Sequence, residues 1–316
     1  MQIVDQKIAA RTLLWTVCGA YVSMFVILAV SDLEIDLGSV GMLAQILAVV
    51  LLILGYATWR RMVILPAAFG CLAAVFASSL PVLLWTYAAI NLNLPLADSQ
   101  LMRMDAALGF NWYSFIGYVD ASPTLAWLLA EAYSSFHLQL LFLPILLVMF
   151  GREQRAYAMI FAYYVLCAIS SVISIWYPAL GTYVMYGVEA ETLSNINAKF
   201  GYFFLEQFHA VREAGPFVLR LDESAGILTF PSVHAGVAAL CAWAAWDVKW
   251  LRIPFGLLNV AMAVSAVSHA NHYFVDVIAG VAIAALCASV ATFVFYRRAD
   301  TFVSAQQATL PSPAST

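Results

Sequence analysis

The chain has 316 residues, of which 64% are hydrophobic and only 10% charged, with a mean hydropathy of +0.89. So little charge beside so much apolar surface excludes a water-soluble domain of this size and points to a polytopic membrane protein. A net charge of −4 argues neither for nor against an anionic ligand, and no basic tract points to nucleic acid.

Apolar runs near 12–31, 38–59, 62–92, 124–150, 156–177, 231–248, 252–269 and 272–296 predict an all-α integral membrane fold of eight helices. Each run is near the ~20 residues that a bilayer core requires. Lys7 and Arg11 precede the first run and no small-residue cleavage site follows it, so it reads as a retained helix. Cys18, Cys71, Cys167, Cys241 and Cys287 fall inside the runs and read as small core hydrophobes. The expected organisation is two N-terminal helices over 1–61, a six-helix core over 62–297 and a disordered cytoplasmic tail over 298–316, rich in Ala, Ser, Pro and Gln.

Basic residues set the expected orientation. With the N-terminus inside, ten of them (Lys7, Arg11, Arg60, Arg61, Arg152, Arg155, Lys249, Arg252, Arg297 and Arg298) lie on the inner side. Only Arg103, Lys199, Arg212 and Arg220 lie outside, which predicts two cytoplasmic termini in the plasma (inner) membrane. Two outer segments are too long for turns. Residues 93–123 mix Asp98, Arg103, Asp105 and Asp120 with Leu101, Met104, Leu108, Trp112 and Phe115, a pattern of short interfacial helices. Within 178–230, Phe200, Phe203, Phe204, Phe208 and Val211 recur at helical spacing, which predicts an amphipathic lid ended by Gly215 and Pro216.

Chemistry concentrates in two segments on the outer side, Phe230–His234 and Ser268–Asp276. Each opens an apolar helix, whose unpaired N–H groups and positive dipole end favour an anion. Ser232 is a natural N-cap, and His234 falls in the first turn after it. His272 and Asp276 are four residues apart, so they share a helix face and can hydrogen-bond. A carboxylate there fixes the imidazole tautomer and stabilises its cation. Four of these groups, His234, His269, His272 and Asp276, could instead enclose a metal. His137 reads as an interhelical polar residue, and His209 as a solvated one on the lid.

At these residues a family resemblance enters. The run Pro-Ser-Val-His at 231–234 resembles the second signature of the type-2 phosphatidic acid phosphatase superfamily. His-Tyr-Phe-Val-Asp at 272–276 resembles the core of the third, and is most similar to the inositol phosphorylceramide synthase branch. The resemblance extends over residues 62–297, with the motifs confined to 229–280. It implies a lipid phosphatase or phosphotransferase that works without metal or other cofactor. It implies His272 as the nucleophile that forms a phospho-histidine, Asp276 as its orienting partner and His234 as the acid for the leaving alkoxide. Ser232 would hold phosphate oxygens, a role compatible with capping. The expected partners are a lipid phosphate and an acceptor alcohol or lipid.

Departures from the signatures matter as much. The third signature usually carries Ser-Arg ahead of its histidine, and here those positions are Ser265 and Ala266. The first signature has no clean match. A charged phosphoryl centre needs cationic help, so Arg212 and Arg220 are the candidates, with surface roles as the alternative and His269 as a supplementary donor. A rival of another class is a lipid transporter with a histidine proton relay. It requires ionisable residues at mid-membrane in several helices, whereas here only His137 and Glu131 depart from one face.

Overall fold

The computed structural model describes residues 6–213 and 215–297, so the tail expected over 298–316 lies outside the described residues. The chain opens with α1 (Gln6–Val30), β1 (Leu33–Ile35), α2 (Gly41–Trp59) and α3 (Leu65–Asn91). Two short helices follow, α4 (Asp98–Ala107) and α5 (Trp112–Asp120), then the long α6 (Pro123–Met149) and α7 (Glu153–Ser174). The next connection holds α8 (Thr182–Tyr186), α9 (Lys199–Tyr202), α10 (Leu205–Ala210) and β2 (Phe217–Leu219). It leads to α11 (Val233–Ala245), α12 (Arg252–His269) and α13 (Phe274–Thr292), which closes in a π turn over Phe293–Arg297.

All eight apolar runs fold as helices. Six of these, α1, α2, α3, α6, α7 and α13, are long and apolar enough to cross a membrane. The motif helix α11 has 13 residues, about 20 Å at the helical rise, and falls short of a ~30 Å hydrocarbon core by itself. It is surrounded instead, packing against α6, α7, α12 and α13. Small residues let it sit so deep: Ala238, Cys241, Ala244 and Ala245 share one buried cluster with Ala284, Cys287, Ala288 and Ala291. The backbones nearly touch where α11 crosses α13. A Cβ on Gly280 would lie 2.2 Å from the Ser232 carbonyl oxygen. Between α6 and α12, Asn259 Nδ2 donates to Gln139 Oε1 at 2.8 Å, a polar clasp inside the bundle.

The two long connections differ from expectation in instructive ways. Residues 93–123 do form short helices, but Asp98 and Asp105 are 2% and 1% exposed, turned inward rather than along an interface. The single amphipathic lid is broken into α9 and α10 by a turn at Phe203 and Phe204, and helix ends at Ala210, before Gly215. Most of its described apolar face joins the core, where Phe204, Phe208 and Val211 pack with Leu84, Tyr87 and Ile90 of α3, while Phe203 stays exposed. A Cβ on Gly201 would lie 2.4 Å from the Tyr183 ring, so α9 is seated against α8 by backbone contact. Unforeseen was the parallel pairing of β1 with β2, Leu33 opposite Phe217 and Ile35 opposite Leu219. It ties the α1–α2 connection to the loop that precedes the first motif.

Candidate active site

Ser232 caps α11 from an extended conformation, its Oγ accepting from Ala235 N at 3.3 Å. The first intrahelical bond is Gly236 N to the Ser232 carbonyl. That leaves the amides of Val233 and His234 ahead of the helical ladder, as at any helix start. The His234 ring stacks on Tyr133 with centroids 4.4 Å apart and packs equally close to Phe136, both from α6. Ser232 also donates its amide to the Asp276 carbonyl at 3.0 Å, so the two motif segments are joined through backbone.

At the start of α13 the neighbours are carboxylates. Asp276 Oδ2 lies 3.2 Å from His272 Nδ1 and accepts the Tyr273 amide at 2.9 Å. Asp105 accepts the next two amides, Phe274 N at 2.9 Å and Val275 N at 2.8 Å. Both carboxylates are buried, and burial holds the Asp105 carboxyl above its ordinary range against the pull of those two N–H donors. The α13 amides expected to receive a phosphate are therefore already taken by the protein's own anions.

The link between α12 and α13 is shaped from the two long connections. Asn271 sits at φ 67° and donates Nδ2 to the Leu180 carbonyl at 2.6 Å, while its Oδ1 accepts Tyr183 N at 2.6 Å. Gly181, at φ 90°, passes so close that a Cβ would strike the Asn271 side chain at 2.2 Å. Asp98 accepts the amides of Leu180 and Gly181 and the Tyr273 hydroxyl. Burial and the neighbouring Asp98 push that hydroxyl far above its ordinary range, so it stays protonated and donates.

His234 and His272 both line a cavity of about 700 Å³. Its wall runs along α3 (Ser78, Ser79, Thr86) and α6 (Tyr133, Ser134, His137) and is completed by Phe203, Phe204 and residues 224–229. His272 is 4% exposed, and with Nδ1 facing Asp276 its Nε2 is the ring nitrogen left for chemistry. Such an arrangement suits an oriented imidazole nucleophile beside a second imidazole that moves protons. His137, which the sequence marks as an interhelical polar residue, belongs to this wall. Helical spacing could have indicated it, since it lies one turn beyond Tyr133 and Ser134.

Ser232, His234, His272 and Asp276 come together, with His234 and His272 on the wall and Ser232 and Asp276 buried behind it; the other three predicted site residues do not reach the wall. Arg212 donates Nη2 to the Leu94 carbonyl at 2.9 Å, and desolvation lowers its guanidinium pKa from the ordinary value. Arg220 is 43% exposed and bound to Asp36, Asp222 and Glu223, each at 3.0 Å. His269 is fully buried, its Nδ1 2.9 Å from Ser268 Oγ. Among the described residues the cavity wall carries no Lys or Arg side chain. No group of three or more His, Cys, Asp or Glu among the described residues has a metal-holding arrangement.

Comparison with known proteins bears on this geometry. A family model described as PAP2 superfamily matches residues 99–290, which take in nearly all of α4, both motif segments and the cavity wall apart from its α3 side. No curated protein and no solved structure matches the chain. With both motif segments inside the matched span and their histidines on one cavity, this membrane protein belongs to the PAP2 superfamily.

Proposed function

We propose that the chain is a membrane phosphoryl-transfer enzyme acting on a phosphorylated lipid at the outer leaflet. Nε2 of His272 attacks phosphorus, forming a P–N bond as the P–O bond to the leaving alkoxide breaks. The Nδ1 proton stays on the ring and is donated to Asp276, whose carboxylate offsets the positive charge that develops there. His234, entering as the imidazolium, gives its proton to the departing alkoxide and is left neutral. Water or an acceptor alcohol then loses its proton to His234 and attacks phosphorus, and the P–N bond breaks. Ser232 and the amides of Val233 and His234 receive phosphate oxygens at the α11 end. The observation that carries this reading is the buried His272–Asp276 contact on the same cavity wall as His234.

A second reading within this chemistry is transfer of a phospho-headgroup from one lipid to another. The wall favours it, because hydroxyls, imidazoles and amides without a fixed cation suit a singly charged phosphodiester better than a doubly charged monoester. Incubating purified protein with lipid phosphomonoesters and phosphodiesters, with and without an acceptor lipid, separates the outcomes by mass spectrometry. Inorganic phosphate marks a phosphatase and a headgroup on the acceptor marks a transferase. No product that depends on His272 refutes both. Sidedness is read separately, with cysteines at Ser194 and Lys249 in a background lacking the native cysteines. An impermeant thiol reagent should label 194 and spare 249 in intact cells, and the reverse pattern puts the site inside.

A further inference from the structure

Asp105 has no place in the reaction just described, yet it is among the most buried charges in the molecule and its partners are the first turn of α13. The geometry sets up a competition. Asp276 stands in that same turn, where an N-terminal carboxylate commonly folds back onto the free amides of its own helix. It already accepts Tyr273 N through Oδ2, the oxygen that also meets His272, while Oδ1 is buried without a hydrogen-bond partner. Were the Phe274 and Val275 amides unoccupied, they would be the nearest donors for that idle oxygen. Turning toward them would draw the carboxylate off the imidazole.

We propose that Asp105 is a positioning residue for His272: by occupying the Phe274 and Val275 amides it keeps the Asp276 carboxylate on the imidazole rather than on its own helix. The two carboxylates divide three consecutive donors between them, so neither has a reason to move. Other contacts hold the turn itself. The Phe274 ring stacks on Phe110 at 4.7 Å, and the Tyr273 hydroxyl is bonded to Asp98 at 2.9 Å. Loss of the Asp105 charge should therefore misdirect the dyad without unfolding the turn.

Asp105→Asn tests this, because an amide offers one acceptor where two donors converge and turns an N–H group toward the other. Two readouts are needed, since the rate depends on the phosphoryl-transfer reading and the second does not. For a short-chain lipid phosphate, kcat should fall about 10²-fold with KM within about threefold, as for a misplaced reactive group. In protein labelled with ¹⁵N-histidine, the low-field Nδ1 proton of His272 should move toward the position of a water-bonded imidazole. Asp120→Asn is the control, for Asp120 binds the amides of Ser194, Asn195 and Ile196 in the same manner away from the cavity. It should leave both readouts unchanged. A folded Asp105→Asn protein with an unaltered His272 signal overturns the proposal. If the wild type turns over no phosphate ester, the phosphoryl-transfer reading fails and the proton signal still decides the role of Asp105.

Discussion

At the start of α11, Val233 and His234 line the cavity with their amides ahead of the helical ladder, whereas at the start of α13 three successive amides are bound by Asp105 and Asp276. Both helix ends carry the same partial positive charge. The α13 end is neutralised from within, and the proposed reaction leaves the α11 end for an external anion. In that reaction the difference separates two tasks that would conflict at a single helix end. Phosphate drawn onto α13 would lie against two carboxylates, while phosphate held at α11 would present its phosphorus to a histidine from the neighbouring segment. The close crossing at Gly280 keeps the two ends in register.

The most severe way to break this division is to remove the group on the neutralised side. His272→Ala should reduce turnover by about 10⁴-fold or more and abolish any acid-labile phospho-enzyme. Trapping labelled enzyme checks it, and a persistent covalent intermediate would move the nucleophile elsewhere. On the α11 side, His234→Ala should cost about 10²–10⁴ with an alkoxide leaving group and much less with nitrophenolate, which needs little protonation. Equal losses on both substrates would deny His234 the role of acid. Ser232→Ala acts on the anion site itself. It should raise KM several-fold and lower stability by about 1 kcal/mol through the lost cap, read from kinetics and thermal unfolding together. Smallest of all, Arg220→Ala should leave turnover within about twofold, because exposed ion pairs carry little energy. A collapse of activity there would show that the phosphate draws its cation from outside both helix ends.

The parts of this picture that were legible in the sequence are those with local rules. Apolar runs marked the helices, the spacing of His272 and Asp276 marked the dyad, and Ser232 after Pro231 marked a cap. What escaped depends on distant backbone. Asp105 meets amides 169 residues further along the chain, and an acidic residue in an amphipathic segment looks like a solvated one until its partner is known. A clue was present all the same: Asp98 and Asp105 are seven apart, on one face of a short helix that also presents Leu101. Arg212 and Arg220 show the converse. The need of phosphate for positive charge points to both, but one serves the Leu94 carbonyl and the other three acidic neighbours. Three-residue strands such as β1 and β2 carry too little periodicity to be read before their pairing is seen.

The β1–β2 pairing also bears on how the molecule is assembled. Leu33–Ile35 and Phe217–Leu219 are separated by some 180 residues, so the first strand is made long before its partner exists. At ribosomal speeds of about 5–20 residues per second, its edge waits roughly 10–40 s for completion. The N-terminal segment, outside the span shared with the superfamily, is thus the template on which β2 is later laid. A truncated chain that began at α3 would keep every residue of the chemistry and lose the strand that holds the loop leading to the first motif.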